Sequence, residues 1–122
     1  MVEVICDTSF LMHFATKRIK NISTFETEIG QIQFVVPDVV EKELHHLKED
    51  PKKKQNVLAT IDFIKTLKKI PIKGDFADQA IIVYIKEHGG IIATMDKELK
   101  NKVKSSGGSV ISFANDRIVL ES

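Results

Sequence analysis

A chain of 122 residues, 43% hydrophobic and 29% charged, is long enough to bury a core and reads as one domain over 1–122. A net charge of +1 says little by itself, and no apolar run approaches the roughly 20 residues that a membrane helix requires. The single cysteine cannot form an intramolecular disulfide, and the start Met1–Asp7 lacks a basic leader region, so a reducing, cytoplasmic setting is expected.

Short apolar runs alternate with longer amphipathic segments, the pattern of an α/β domain built on a parallel sheet. Val2–Cys6 reads as a first buried strand, followed by a helix from about Thr8. A second helix is predicted over Ser23–Gly30 and a second strand over Gln33–Val36, closed by Pro37. Asp38 has the position of an N-cap, with Glu41 at the reciprocal site of a capping box. Its helix should run to about Asp50, before Pro51. Lys54–Lys69 is predicted as one helix with the stripe Val57, Leu58, Ile61, Ile64 and Leu67. Ile70–Ile72 is a minimal third strand. Asp75 should cap a helix that ends at Gly89-Gly90, where glycine suits a left-handed cap. Gly90–Thr94 then reads as the fourth strand, Asp96–Lys104 as a basic helix, Gly108–Phe113 as the fifth strand, and Arg117–Leu120 as an edge strand.

Within that pattern, four acids fall where one edge of the sheet gathers them. Asp7 and Asp96 each follow a strand and precede a helix, the end of an open α/β sheet at which ligands bind. Each also has the position of an N-cap, which needs no function. Glu43 lies between Val39 and Leu47 on the margin of an apolar helix face, and an acid directed inward needs a partner or a metal. Asp78 stands in the first turn of its helix, beside Ile81, Ile82 and Ile85, where the helix dipole alone accounts for a carboxylate. Gathering four like charges raises their pKa values, a cost that a bound cation offsets.

The other chemistry-bearing residues have plainer explanations. His45 and His46 are adjacent on a helix and face apart, and Cys6 reads as core. Ser9 has no evident histidine partner, and no glycine-rich phosphate loop is present. Lys52-Lys53-Lys54 reads as a charged loop. Lys97, Lys100 and Lys104 share one helix face next to Asp96, equally consistent with phosphate contact and with solvation. Lys17, Arg18 and Lys20 form a weaker basic patch. With no Trp and a single Tyr, no aromatic platform for stacking bases is evident.

The stretches Asp7-Thr-Ser-Phe10, Val36-Pro-Asp-Val-Val-Glu-Lys-Glu-Leu44, Gly74-Asp-Phe-Ala-Asp-Gln-Ala-Ile81 and Ile92-Ala-Thr-Met-Asp-Lys-Glu-Leu-Lys100 together resemble the PIN-domain nucleases, in order and spacing, over essentially the whole chain. The last stretch, with Ser112-Phe-Ala-Asn-Asp-Arg117, looks most like PIN proteins of ribosomal RNA processing. The resemblance implies a three-layer α/β/α sandwich with a central parallel sheet of strand order 3-2-1-4-5. It implies metal-binding, catalytic acids at Asp7, Glu43, Asp78 and Asp96, with Thr8, Ser9 and Thr94 in support. Ser9 stands where many relatives have Asn, and Gln79 replaces the second Asp of an Ala-Asp-Asp motif.

An all-oxygen ligand set favours Mg²⁺ or Mn²⁺. The activity implied is endonucleolytic hydrolysis of single-stranded or loop RNA, for which the face of Lys97, Lys100 and Lys104 is the candidate RNA-binding surface. RNA is the implied partner, together with ribosome-assembly proteins, an antitoxin or a second copy of the chain, and no membrane. Besides a ribonuclease of ribosomal RNA maturation, a VapC-like toxin, a non-cleaving PIN module that binds RNA or protein, and a phosphoacceptor receiver domain remain open. The receiver reading lacks the usual acid pair after the first strand.

Overall fold

The computed structural model describes residues 2–17, 30–115 and 117–121. The helix predicted over Ser23–Gly30 lies outside the described residues except for Gly30, as do Arg18 and Lys20 of the weaker basic patch.

Strands β1 (Val2–Cys6), β2 (Ile32–Pro37), β3 (Lys68–Ile70), β4 (Ile91–Ala93), β5 (Ser109–Ala114) and β6 (Arg117–Glu121) form one sheet in the order β3-β2-β1-β4-β5-β6. The first five are parallel in the expected order, and β6 runs antiparallel to β5, so the sheet is mixed at that edge. Val4, Ile5 and Cys6 are buried one after another, as are Val110 through Phe113. Such runs without alternation are the mark of strands covered on both faces.

The helices are α1 (Thr8–Thr16), α2 (Asp38–Leu47), α3 (Lys54–Ile64), α4 (Ala77–His88) and α5 (Lys97–Ser105). With right-handed crossovers, α1 and α3 cover one face and α4 and α5 the other. In keeping with this, α1 packs on α3 and α4 packs on α5, giving an α/β sandwich. The chain leaves β1 toward β2 and leaves β4 toward β5, so the order reverses between β1 and β4. Ligands of such sheets bind in the crevice at that reversal, outside the carboxyl ends of the strands.

Several boundaries differ from the sequence reading. Helix α2 starts at Asp38 itself, with Pro37 at the cap position and no side-chain cap, while Glu41 lies 3.5 Å from Lys69 as an ion pair. The freed Val39 N–H donates instead to the Ile72 carbonyl at 3.0 Å. Likewise Phe76, not Asp75, holds the cap position of α4. Helix α3 stops at Ile64 because Lys68–Ile70 is taken up by pairing with Val35–Pro37. The third strand therefore lies two residues earlier than its isoleucines suggest. Leu58 is exposed, and Thr60 takes the inner position, its hydroxyl donating to the Asn56 carbonyl at 2.7 Å.

Five phenylalanines concentrate behind the β1 end of the crevice. Phe10 stacks on Phe113 at 4.6 Å between ring centroids and on Phe34 at 5.9 Å, while Phe14 meets Phe34 and Phe63 at 4.8 and 4.9 Å. Helix α4 ends at Gly89 as expected, but its φ of 68° and ψ of -164° give an extended positive-φ conformation open to glycine and not the left-handed helical cap. Gly108 is a point of close approach, since a β-carbon there would meet Ile85 and Val103 at 2.8 Å each.

Candidate metal-assisted nuclease site

Asp7 sits at the end of β1, its N–H donating to the Ala93 carbonyl of β4 at 3.1 Å. Its side chain caps α1 by accepting from Phe10 N at 2.9 Å. Ser9 Oγ lies 2.9 and 3.1 Å from the two carboxylate oxygens, and Thr94 Oγ1 donates to Oδ2. Ser9 Oγ also accepts from Met95 N, and Thr94 Oγ1 from Asp96 N, each at 3.0 Å. These two hydroxyls stitch the ends of β1 and β4 together around one carboxylate.

Asp7 is only 5% exposed and no cation pairs with it among the described residues. Burial pushes its pKa up to about 6, against hydrogen bonds from Thr94, Phe10 and Ser9, and the charge of Asp78 adds to the rise. Asp78 is raised as well, by partial burial first and then by the charges of Asp96 and Glu43.

A cavity of about 370 Å³ is lined by Asp7, Thr8, Ser9, Glu43, Asp78 and Asp96, so all four candidate acids open onto one space. Met12, Leu47 and Ala77 supply its apolar wall, and Lys53 its rim. As placed, the acids line the space without closing on one point: among the described residues no three His, Cys, Asp or Glu are gathered tightly enough to hold a metal ion.

The donor chemistry nevertheless suits a hard cation. The oxygens are carboxylates, and among the described residues one of them is buried without a counter-charge and Thr8 Oγ1 is buried beside it with no hydrogen-bond partner. Asp96 caps α5 through Oδ1 alone, accepting from Glu98 N at 2.9 Å and Leu99 N at 3.1 Å. Its Oδ2 takes no hydrogen bond among the described residues, so capping leaves an oxygen for a ligand.

The basic face of α5 is arranged differently from its sequence reading. Lys100 Nζ lies 2.7 Å from Glu121 Oε2 and Lys104 Nζ 3.4 Å from Glu121 Oε1. Both cations therefore fasten β6 instead of facing the acids, because the edge strand places a carboxylate above them. Lys97 is exposed and has no ion pair among the described residues. Lys53, dismissed in sequence as a charged loop, is the cation that lines the acid cavity. Only the fold brings it there, so no local signal could have found it. No helix among the described residues is long and apolar enough to cross a membrane.

A family model described as "PIN like domain" matches residues 4–115. The chain belongs to the PIN-like domain family. It is 30% identical over 109 residues to "Ribonuclease VapC4" of Methanocaldococcus jannaschii, covering 84% of this chain and 83% of that protein. Among solved structures, "Structure of the PIN domain endonuclease Utp24" matches with a TM-score of 0.79 at 26% identity, over 98% of this chain and 90% of that one. This PIN-like domain is thus part of a nuclease-like family broadly linked to RNA processing.

Proposed function

We propose that this PIN-like domain is a divalent-metal-dependent endoribonuclease that cuts single-stranded or loop RNA, as in ribosomal RNA maturation. The observation that carries the reading is the shared cavity of Asp7, Glu43, Asp78 and Asp96, built at the β1/β4 reversal around a buried carboxylate that has no counter-charge among the described residues. Asp7, Asp78 and Asp96 would hold Mg²⁺ or Mn²⁺, and Glu43 would bind directly or orient a water. When bound, such an ion neutralises non-bridging phosphate oxygens and lowers the pKa of an attacking water.

The protein's own part is positioning. Ser9 and Thr94 fix the Asp7 carboxylate by donating to it, and Asp96 is held by its cap. Asp78 and Glu43, on α4 and α2, face the same space from the neighbouring elements. Lys53 at the rim and the exposed Lys97 beside Asp96 would meet phosphate, whereas Lys100 and Lys104 pair with Glu121.

Purified protein should cut single-stranded RNA internally in Mn²⁺ or Mg²⁺ and stop in excess EDTA. Undiminished cutting in EDTA, or none with either ion, overturns the reading. The likeness to the VapC4 ribonuclease supports a second reading, a toxin restrained by an antitoxin. Expression of the chain alone separates the two: growth arrest relieved by a small co-expressed partner identifies the toxin.

A further inference from the structure

Five of the chain's phenylalanines pack into the core, but Phe76 stands 66% exposed. It occupies the cap position of α4, two residues before Asp78, on extended backbone. Its ring borders two cavities. One, about 290 Å³, is shared with Lys42, His46 and Glu43, and Glu43 also lines the acid cavity. The other, about 330 Å³, is shared with Lys73, Gln79 and Val83, the last itself 54% exposed. Asp75 is the acid that borders both. The chain thus holds a solvated aromatic face next to the acids, flanked by three cationic or protonatable groups.

We infer that Phe76 stacks against a nucleobase of the single-stranded RNA next to the bond being cut, a contact that presupposes the ribonuclease activity proposed above. Every base offers a π-face, so stacking holds the strand without reading its sequence. Lys42, His46 and Lys73 suit the phosphates that flank a stacked base. Gln79 presents a neutral amide, both donor and acceptor, along the same cavity.

A second copy of the chain fits the patch less well. A stable interface needs about 800 Å² from each partner, more than the exposed faces of Phe76 and Val83 supply.

The test uses a short single-stranded RNA carrying a fluorescent base analogue, titrated with the intact protein in chelator so that no strand is cut. The wild type should quench the analogue at one position. Phe76→Ala should weaken binding about tenfold and lose the quench, while Phe76→Trp retains both. Melting temperatures of the three should agree, since the ring supports no core. In Mn²⁺, Phe76→Ala should raise KM more than it lowers kcat. If the wild type cuts RNA but Phe76→Ala binds and quenches as it does, the stacking role fails and the ribonuclease stands. If the wild type neither binds nor cuts RNA, both fail. A wild-type dimer that Phe76→Ala dissociates in sedimentation also overturns the stacking role, marking the patch as a self-association surface.

Discussion

Two carboxylates of the same sheet, one on its edge strand and one at the end of a central strand, are treated in opposite ways. Glu121, on the outer strand β6, receives Lys100, Lys104 and the Ser112 hydroxyl, which hold its pKa down to about 2. Asp7, at the end of the central strand β1, is buried among hydroxyls and backbone with no cation among the described residues, and burial lifts its pKa to about 6. Glu121 has its counter-charges built into the chain and serves to fasten an edge. Asp7 lacks them, and the fold spends stability to keep a carboxylate there. A built-in lysine would remove that cost but would also fill the cavity that the four acids line. On the function proposed above, the contrast separates a carboxylate used for structure from one kept ready for a ligand.

The largest effect that tests this contrast is on activity. Asp7→Asn should lower RNA cleavage by more than about a hundredfold, the upper end of what losing even a supporting partner costs at a metal site. Glu121→Gln should leave cleavage within a few fold. Comparable losses from both would erase the distinction.

Next in size is the response to metal. Mg²⁺ or Mn²⁺ at about 100 times its dissociation constant should stabilise the wild type by about 2.7 kcal/mol, because only the folded chain binds it. Glu121→Gln should gain equally, while Asp7→Asn and Asp96→Asn should gain much less. Thermal melts with and without metal read this directly.

The pH profiles should then run in opposite directions without metal. A folded pKa of about 6, above the ordinary 3.8, means that the Asp7 contribution favours folding at low pH. It is lost as pH rises from about 4 to about 6, by about 3 kcal/mol in all, with Asp78 adding the same sign. The melting temperature of Asp7→Asn relative to wild type should therefore climb across that window and level off above it. For Glu121, pKa about 2 against 4.5, stability is present above 4.5 and lost as pH falls toward 2. The deficit of Glu121→Gln should close over that lower window and shrink in high salt.

The smallest effect isolates capping from ligation. Asp96→Ala should cost about 1 kcal/mol of metal-free stability by losing the α5 cap, while Asp96→Asn keeps the cap and costs little. Equal destabilisation by both would show that the cap does not depend on the side-chain oxygen.

What the sequence made legible follows from how local each signal is. The buried run Val2–Cys6, the cap at Asp96 and the glycine stop at Gly89 are short-range patterns, and each recurs in the fold. That Asp7, Glu43, Asp78 and Asp96 line one cavity was readable because each lies at a definite place in a strand-to-helix pattern or on a helix margin. Asp38 and Asp75 misled because the Ile72 carbonyl accepts from the first turn of α2, and because the extended Phe76, with no side-chain cap bond, holds the cap position of α4. The third strand was misplaced because its pairing with β2 is not a property of its own residues. The engagement of Lys100 and Lys104 depends on β6, 17 or more residues away in sequence, and Phe76 has the composition of a core residue. Only the tertiary arrangement shows which cations are occupied and which aromatic is left in water.

Gly108 carries a consequence of another kind. It lies where Ile85 of α4 and Val103 of α5 close over the start of β5, far along both helices from the ends that bear Asp78 and Asp96. A methyl group there would act as a wedge at the butt of two levers, at a cost of about 1–3 kcal/mol. Gly108→Ala should thus behave as a temperature-sensitive allele, working in the cold and failing on modest warming with every acid intact. A genetic screen for conditional loss of function would be drawn to this seam as readily as to the acids themselves.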